Sequence, residues 1–359
     1  MTKKLMSGNN AIGEAAVLAG CTCYFGYPIT PQNELPEYMA RRLAEVPGGV
    51  FIQAESEIAA INMVLGASVA GARAMTSSSS PGISLKQEGI SFLAAQELPA
   101  VIVNMMRGGP GLGNISPAQS DYFQATRGGG HGDYKIIVLG PASVQELADL
   151  TMLAFDLADM YRTPVMILGD GMIGQMMEPV TFRAKKKERH QVLHSDYILS
   201  GAKGRPARII KSLILDPKEE EEHNWKLFRK YQRIEQQEVR YETFLLEDAA
   251  LAVLAYGTAA RIAKGAIKRL REEGLKVGMI RPITLWPFPV KIIQETAKDL
   301  HDFFVFEMST GQMIEDVERA LGGKARVHFY GRPGGVVPTP VELARIISRH
   351  YYQSQKRKK

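Results

Sequence analysis

Four short segments within the first third of this chain carry side chains suited to chemistry. The first is Tyr27-Pro28-Ile29-Thr30-Pro31, in which two prolines stiffen the backbone on either side of one hydroxyl. Held this way, Thr30 either directs its hydroxyl at a ligand or caps a rigid turn, and the residues alone leave both readings open. The second is Ser56-Glu57-Ile58-Ala59-Ala60, where a carboxylate opens a helix of small and apolar residues. Glu57 can act there as an acid–base group, or it can complement the helix dipole with Ser56 as the cap; Glu55 next door has the same claim. The third, Thr76-Ser77-Ser78-Ser79-Ser80-Pro81-Gly82, offers successive hydroxyls and free amides ahead of a helix, which suits a polar or anionic ligand but also a plain turn. It lacks the Gly-Lys-Ser/Thr ending of a Walker loop. The fourth is Arg107-Gly108-Gly109-Pro110-Gly111-Leu112-Gly113. An arginine at a strand end presents a planar fork that fits a carboxylate, and the glycines permit close approach and movement; a surface salt bridge is the alternative.

Positioning such groups requires a rigid scaffold, and the sequence supplies one. Strand and helix signals alternate at short spacing over residues 8–175, which predicts an α/β unit with a mostly parallel sheet. Strands are expected at Cys23–Phe25, Val50–Gln53, Ala72–Thr76, Val101–Val103, Ile136–Leu139 and Val165–Leu168, with helices over Asn10–Gly20, Glu57–Ala70 and Val144–Asp159. Pro81 is expected to open the helix after the serine run. This first unit extends to residue 180. Residues 181–247 read as a charged, partly helical connector that includes Lys185–Lys187 and Glu219–Glu222. Within it Trp225, Phe228 and Tyr231 fall at helical spacing and predict one packed stripe. A second α/β unit spans residues 248–350, with strands at Leu251–Tyr256, Val277–Ile280 and Phe303–Phe306, helices over Ala259–Glu273 and Val290–Thr296, and a late loop Gly331-Arg332-Pro333-Gly334-Gly335. It carries no obvious acid–base constellation, and residues 351–359 form a basic tail. No internal repeat is visible.

Composition narrows the functional classes. The chain has 359 residues, 45% hydrophobic and 23% charged, which is the balance of a soluble globular protein with two cores. No apolar run approaches the ~20 residues that span a bilayer, and polar Ser7-Gly8-Asn9-Asn10 follows the N-terminus directly, so a cytoplasmic protein is expected with no role at a membrane. The net charge of +6 falls to +2 once the four cations Lys356, Arg357, Lys358 and Lys359 are set aside. With no aromatic-interleaved basic face, nucleic acid is not an expected partner. Cys21 and Cys23 are the only cysteines, too few for a four-cysteine cluster, and are expected as buried core thiols.

Taken in order, Tyr-Pro-Ile-Thr-Pro, Ser-Glu-x-x-Ala, Thr-Ser-Ser-Ser-Ser-Pro-Gly and Met-Arg-Gly-Gly-Pro resemble the alpha chain of 2-oxoacid:ferredoxin oxidoreductases. The resemblance covers nearly the whole chain. It implies a thiamine pyrimidine-binding α/β domain followed by a transketolase-C-terminal-like α/β domain. It further implies that Glu57 contacts the aminopyrimidine N1′ of thiamine diphosphate, favouring the imino tautomer that deprotonates the thiazolium carbon. Pro28 and Thr30 then lie at cofactor and substrate, Arg107 holds the substrate carboxylate, and Ser77 and Ser78 lie near the cofactor. The Gly-Asp-Gly of a magnesium-diphosphate motif has a counterpart in Gly169-Asp170-Gly171, but no Asn-Asn follows it, so it reads as a strand-end turn and no metal site is expected here. By the family pattern a beta chain carries the diphosphate and magnesium. Iron–sulfur clusters lie on partner chains, gamma and ferredoxin-like delta subunits complete the complex, and a 2-oxoacid, CoA and ferredoxin are the reactants. Within the family, the loops through Glu34 and Pro117 are most similar to the 2-oxoisovalerate (branched-chain) type, with Ile29, Leu112 and Ile115 as an apolar wall and Arg107 as the one nearby cation before Arg127. A 2-oxoglutarate enzyme is the alternative, and a lipoamide-linked E1-type chain a more distant one.

Overall fold

The computed structural model describes residues 3–182 and 196–356. Its first unit contains β1 (Lys4–Ser7), β2 (Cys23–Gly26), β3 (Val50–Gln53), β4 (Ala74–Ser78), β5 (Ala100–Met106), β6 (Ile137–Leu139), β7 (Pro164–Asp170) and β8 (Met177–Val180). The later strands are β9 (Tyr241–Phe244), β10 (Leu251–Leu254), β11 (Val277–Pro282), β12 (Thr284–Trp286), β13 (Asp302–Glu307) and β14 (Arg326–Gly331). Seven strands form the main sheet in the order β12-β6-β7-β5-β4-β2-β3, and all but β12 run parallel. Every residue of the central strand β5 is buried, because helices cover both faces of a parallel sheet and leave no polar side for alternation. Helix Gly8–Leu18 packs on helix Val144–Tyr161, and helix Glu57–Val69 on helix Ser80–Ala95.

The order of the main sheet locates the site. From β2 the chain moves outward to β3, then returns past β2 to build β4 on its other side. That reversal opens a crevice at the carboxyl ends of β2 and β4, the position where open α/β sheets bind ligands. Three of the four chemical segments begin there, since Gly26 ends β2, Ser78 ends β4, and Glu57 lies just beyond β3.

A second, five-stranded sheet has the order β14-β13-β10-β11-β9, with β9 antiparallel at one edge. The two units interlock. β12 leaves the second unit to pair with β6 of the first, and Arg281 at the end of β11 is buried against Glu146 at 2.7 and 2.8 Å and against Glu242 at 2.8 Å. Glu146 belongs to the first unit, where Ser143 caps its helix.

Several expectations require correction. The connector span holds a strand, β9, that belongs to the second sheet, and a helix Pro217–Gln237 whose buried stripe is Leu227, Tyr231 and Ile234. Trp225 and Phe228 stack edge-to-face on one another and stay about half exposed, because the face that meets the first unit is turned away from them. The lysine run Lys185–Lys187 lies outside the described residues. Residues 351–356, expected as tail, are the last turns of helix Pro340–Lys356, whose Leu343, Ala344 and Ile347 are buried against the second sheet; Arg357, Lys358 and Lys359 lie outside the described residues. Strands β1, β8, β12 and β14, and helix Met313–Leu321, were not anticipated. Ser77 and Ser78, expected in a loop, are the last two residues of β4, and the following helix starts at Ser80, with Pro81 inside its first turn. Cys21 and Cys23 are buried free thiols as expected, and burial pushes the Cys21 thiol up to about 12.

Candidate active site

Two helices build the acidic side of the crevice. Ser56 is extended and its hydroxyl accepts from the Ala59 amide at 3.2 Å, which fixes Glu57 as the first residue of its helix. Glu57 is buried, whereas Glu55, two residues earlier, is exposed, so the two carboxylates that looked equivalent in sequence are separated by burial. Facing Glu57, helix Ser80–Ala95 presents Gly82, Lys86 and Gly89, spaced four and three apart and therefore on one face. A Cβ on Gly82 would stand 2.6 Å from Glu57 Oε1 and closer still to Ser78 Oγ, and one on Gly89 would stand 2.5 Å from Ile61. The missing side chains are what let the helices close around the carboxylate. Between the glycines lies Lys86, fully buried, whose ammonium donates to the Glu57 main-chain oxygen at 3.2 Å.

Among the described residues no side chain or amide donates to the Glu57 carboxylate, and the hydroxyls of Ser78 and Ser79 are buried without partners. Buried polar atoms are normally paired. A carboxylate and two free hydroxyls along a glycine-lined crevice fit an amine- or imine-bearing ring such as the pyrimidine of thiamine diphosphate. Ser77 is different. Its hydroxyl bonds Tyr24 and Gln32 under the sheet end and is fully buried, so it supports the crevice rather than facing it.

The basic side is a loop structure. Arg107 follows β5, and its amide donates to Ser80 Oγ at 3.1 Å. Ser80 is itself held by Asn104, whose side chain accepts from the Ser80 amide at 3.1 Å and donates to Asp121 at 2.9 Å. Burial raises the Asp121 carboxyl, and hydrogen bonds from Ser80, Asn104 and Ser120 oppose that shift. The Arg107 guanidinium is buried and partly committed: Nη1 donates to the Thr30 carbonyl at 2.9 Å and Nη2 to the Leu112 carbonyl at 3.0 Å. Its Nε has no partner among the described residues. Thr30 and Arg107, 77 positions apart in sequence, thus meet directly, and the fork joins the two loops while keeping donors in reserve. Pro31 packs on Gly171, and Pro28 is exposed beside it on the same loop. Asp170 closes β7 and caps the next helix through the Met172 and Ile173 amides at 3.0 and 3.3 Å, so the strand-end turn expected there is a direct strand-to-helix junction.

The glycine-rich loop is tied to the second unit. Asn114 donates to the Gly334 carbonyl at 2.9 Å, and Gln119 bridges Tyr256 and Met308 at 2.9 Å each. The late loop around Gly334, unassigned in the sequence, is therefore a support for the site. Arg127 is engaged elsewhere, 2.9 Å from Glu315 and over the Phe123 ring. Lys86, Asn104 and Asp121 were missed by the sequence reading, which named Gly82 only as the end of the serine segment. Only the i, i+4, i+7 spacing of Gly82, Lys86 and Gly89 could have signalled a close helix contact.

Comparisons with known proteins give the family. Residues 14–243 match the family described as pyruvate flavodoxin/ferredoxin oxidoreductase, thiamine diphosphate-binding, and residues 249–343 match pyruvate:ferredoxin oxidoreductase core domain II. The ketoisovalerate oxidoreductase subunit VorB of Methanothermobacter marburgensis is 51% identical over 97% of both chains. The 2-oxoglutarate synthase subunit KorA of Archaeoglobus fulgidus is 40% identical over 92% of this chain and 95% of that one. A solved 2-oxoglutarate:ferredoxin oxidoreductase from Magnetococcus marinus, with 2-oxoglutarate, coenzyme A and succinyl-CoA bound, superposes with a TM-score of 0.84 at 28% identity; it covers 97% of this chain, which spans 65% of that longer chain. A split-gene transketolase shares the fold at a TM-score of 0.58 and 15% identity, covering 96% of this chain and 97% of its own. Fold and family match together define a thiamine-diphosphate-dependent α/β oxidoreductase chain. The chain belongs to the pyruvate flavodoxin/ferredoxin oxidoreductase family.

Proposed function

We propose that this chain is the pyrimidine-binding subunit of a cytoplasmic 2-oxoacid:ferredoxin oxidoreductase that acts on a branched 2-oxoacid, 2-oxoisovalerate. The reaction converts the 2-oxoacid and CoA to acyl-CoA and carbon dioxide and passes an electron pair to ferredoxin. The observation that carries the reading is the buried Glu57 carboxylate, left without a donor among the described residues at the switch-point crevice, with Arg107 on the neighbouring loop. In this reading Glu57 shares a proton with the pyrimidine N1′, and its burial among Gly82 and Ser78 keeps water from competing for that hydrogen bond. Thiamine diphosphate, when bound, supplies the carbon nucleophile and electron sink for decarboxylation. Thr30 and Arg107 act on the substrate side: the reserve donors of the guanidinium hold the 2-oxoacid carboxylate, and the Thr30 hydroxyl lies next to it.

The exposed rim of the site supports the proposed partner set. Ile52, Ile58, Leu85, Leu112 and Ile115 are exposed around the crevice, an apolar rim that a beta chain covers while bringing the diphosphate and magnesium site. Gamma and ferredoxin-like delta subunits then carry the clusters, since this chain has only Cys21 and Cys23. The subunit names of the relatives support a multi-chain assembly.

For the substrate, the 51% identity to the ketoisovalerate chain outweighs the 40% identity to the 2-oxoglutarate chain. The site chemistry points the same way. A distal carboxylate needs a second cation, and Arg127 is occupied by Glu315 and Phe123, whereas Leu112 and Ile115 offer apolar surface. The test is to purify the assembled complex and compare kcat/KM for 2-oxoisovalerate, 2-oxoglutarate and pyruvate by CoA-dependent reduction of ferredoxin or a viologen. A clear preference for 2-oxoisovalerate is expected, and a preference for 2-oxoglutarate overturns the substrate choice.

A further inference from the structure

Lys86 has no part in the chemistry described so far, yet it is one of the largest fully buried side chains in the molecule. An ammonium is rarely buried without a carboxylate in contact, because the charge loses its hydration on burial. No carboxylate lies within ion-pair distance of Lys86 among the described residues. It makes a single hydrogen bond there, to the main-chain oxygen of Glu57, and an ammonium has three donors. Its position is not incidental. Gly82 abuts the Glu57 carboxylate, Lys86 holds the Glu57 carbonyl one helical turn later, and Gly89 abuts Ile61, one turn into the Glu57 helix. Along this seam the glycines set the distance between the helices, and the lysine is the only charged side chain of the three. Burial pushes the Lys86 ammonium down to about 8, and the Glu57 charge opposes that shift.

We propose that Lys86 is a positioning residue for Glu57: its buried ammonium anchors the first turn of the Glu57 helix and supplies the positive charge that keeps the carboxylate directed into the crevice. The inference rests on the reading of Glu57 as the partner of the pyrimidine nitrogen and adds a residue to that site. Ammonium and carboxylate work through space and through the Glu57 backbone, so Lys86 needs no contact with cofactor or substrate.

The test has two arms. In the first, melting temperatures of the cofactor-free complex are measured for wild type, Lys86→Met, Glu57→Gln and the double variant. Lys86→Met removes a buried charge, and the Glu57 carboxylate is what offsets that charge. The substitution therefore raises the melting temperature more in the Glu57→Gln background than in wild type, by about 2 °C or more. Additive effects overturn the coupling. In the second arm, exchange of the thiazolium C2 proton with deuterated solvent is followed by quench NMR on the loaded complex without substrate. Lys86→Met slows exchange at least about tenfold at neutral pH while thiamine diphosphate still binds, and Lys86→Arg recovers part of the rate, a rescue that a merely space-filling role does not give. Wild-type exchange in Lys86→Met, beside slow exchange in Glu57→Gln, overturns the role of Lys86 alone. Wild-type exchange in Glu57→Gln overturns the reading of Glu57 on which it rests. Should Lys86→Met fail to assemble, Lys86→Gln, a neutral side chain with a donor, replaces it in both arms with the same expected and overturning results.

Discussion

Glu57 is held between two helices that meet at glycines, whereas Arg107 stands at the root of a loop whose shape depends on the second unit. The acidic side is entirely local to the first unit: Ser56 sets the register, Gly82 and Gly89 set the spacing, and Lys86 fills the gap. The basic side is assembled from distant pieces, with Thr30, Leu112 and Ser80 around Arg107 and with Gly334 holding the loop tip through Asn114. Leu112 is 78% exposed, while Glu57 is 6% exposed. The contrast suits the two tasks. A proton-sharing contact tolerates little displacement and belongs on rigid elements, while a substrate must enter and leave past a segment able to move.

Substitutions can break this comparison at either side. Gly82→Ala inserts a methyl group against Glu57 Oε1 and Ser78 Oγ and is expected to push the carboxylate off its position. Because a misplacement of about 1 Å can cost on the order of 10²-fold, turnover of the assembled complex should fall by about that factor with its melting temperature little changed. Wild-type turnover in this variant would mean that the helix seam does not set the geometry. Arg107→Met removes the charge-assisted contact to substrate that we propose for it and is expected to lower kcat/KM by about 10- to 150-fold, corresponding to roughly 1.5–3 kcal/mol, while cofactor affinity holds. If cofactor affinity falls instead and kcat/KM follows it, Arg107 is a structural joint between the loops and not a carboxylate anchor. Asn114→Ala should have the smallest effect, a several-fold rise in KM with kcat nearly unchanged, as expected for one neutral hydrogen bond of about 1 kcal/mol at the loop tip. An equal fall in kcat would show that the second unit acts on the chemical step itself.

Legibility in the sequence followed the same division. β3 was placed correctly, and both the parallel first sheet and the buried thiols were readable, because apolar runs, Pro and Gly mark such elements locally. Thr30, Glu57 and Arg107 were singled out because their neighbours are unusual, and the fold brings Thr30 and Arg107 into contact. What could not be read depends on tertiary packing. β12 is three residues long and pairs with a sheet assembled more than a hundred residues earlier, so it leaves no periodic signal. Trp225 and Phe228 obey helical spacing as well as Leu227, Tyr231 and Ile234 do, and only docking decides which stripe is buried. Ser77 and Ser78 are adjacent serines whose alternation along β4 sends one beneath the sheet end and the other toward Glu57. Lys86 carried no signal because a lysine on a helix is ordinarily solvated.

The most direct test of the account compares two neighbouring carboxylates. In the assembled complex, turnover of 2-oxoisovalerate is measured for Glu57→Gln and for Glu55→Gln, with thiamine diphosphate binding and subunit assembly checked in both. The amide at position 57 cannot share a proton, so turnover should drop by about 10²- to 10⁴-fold, while the exposed position 55 tolerates the same change at near wild-type rate. Near wild-type turnover by Glu57→Gln, or an equal loss from Glu55→Gln, would contradict it.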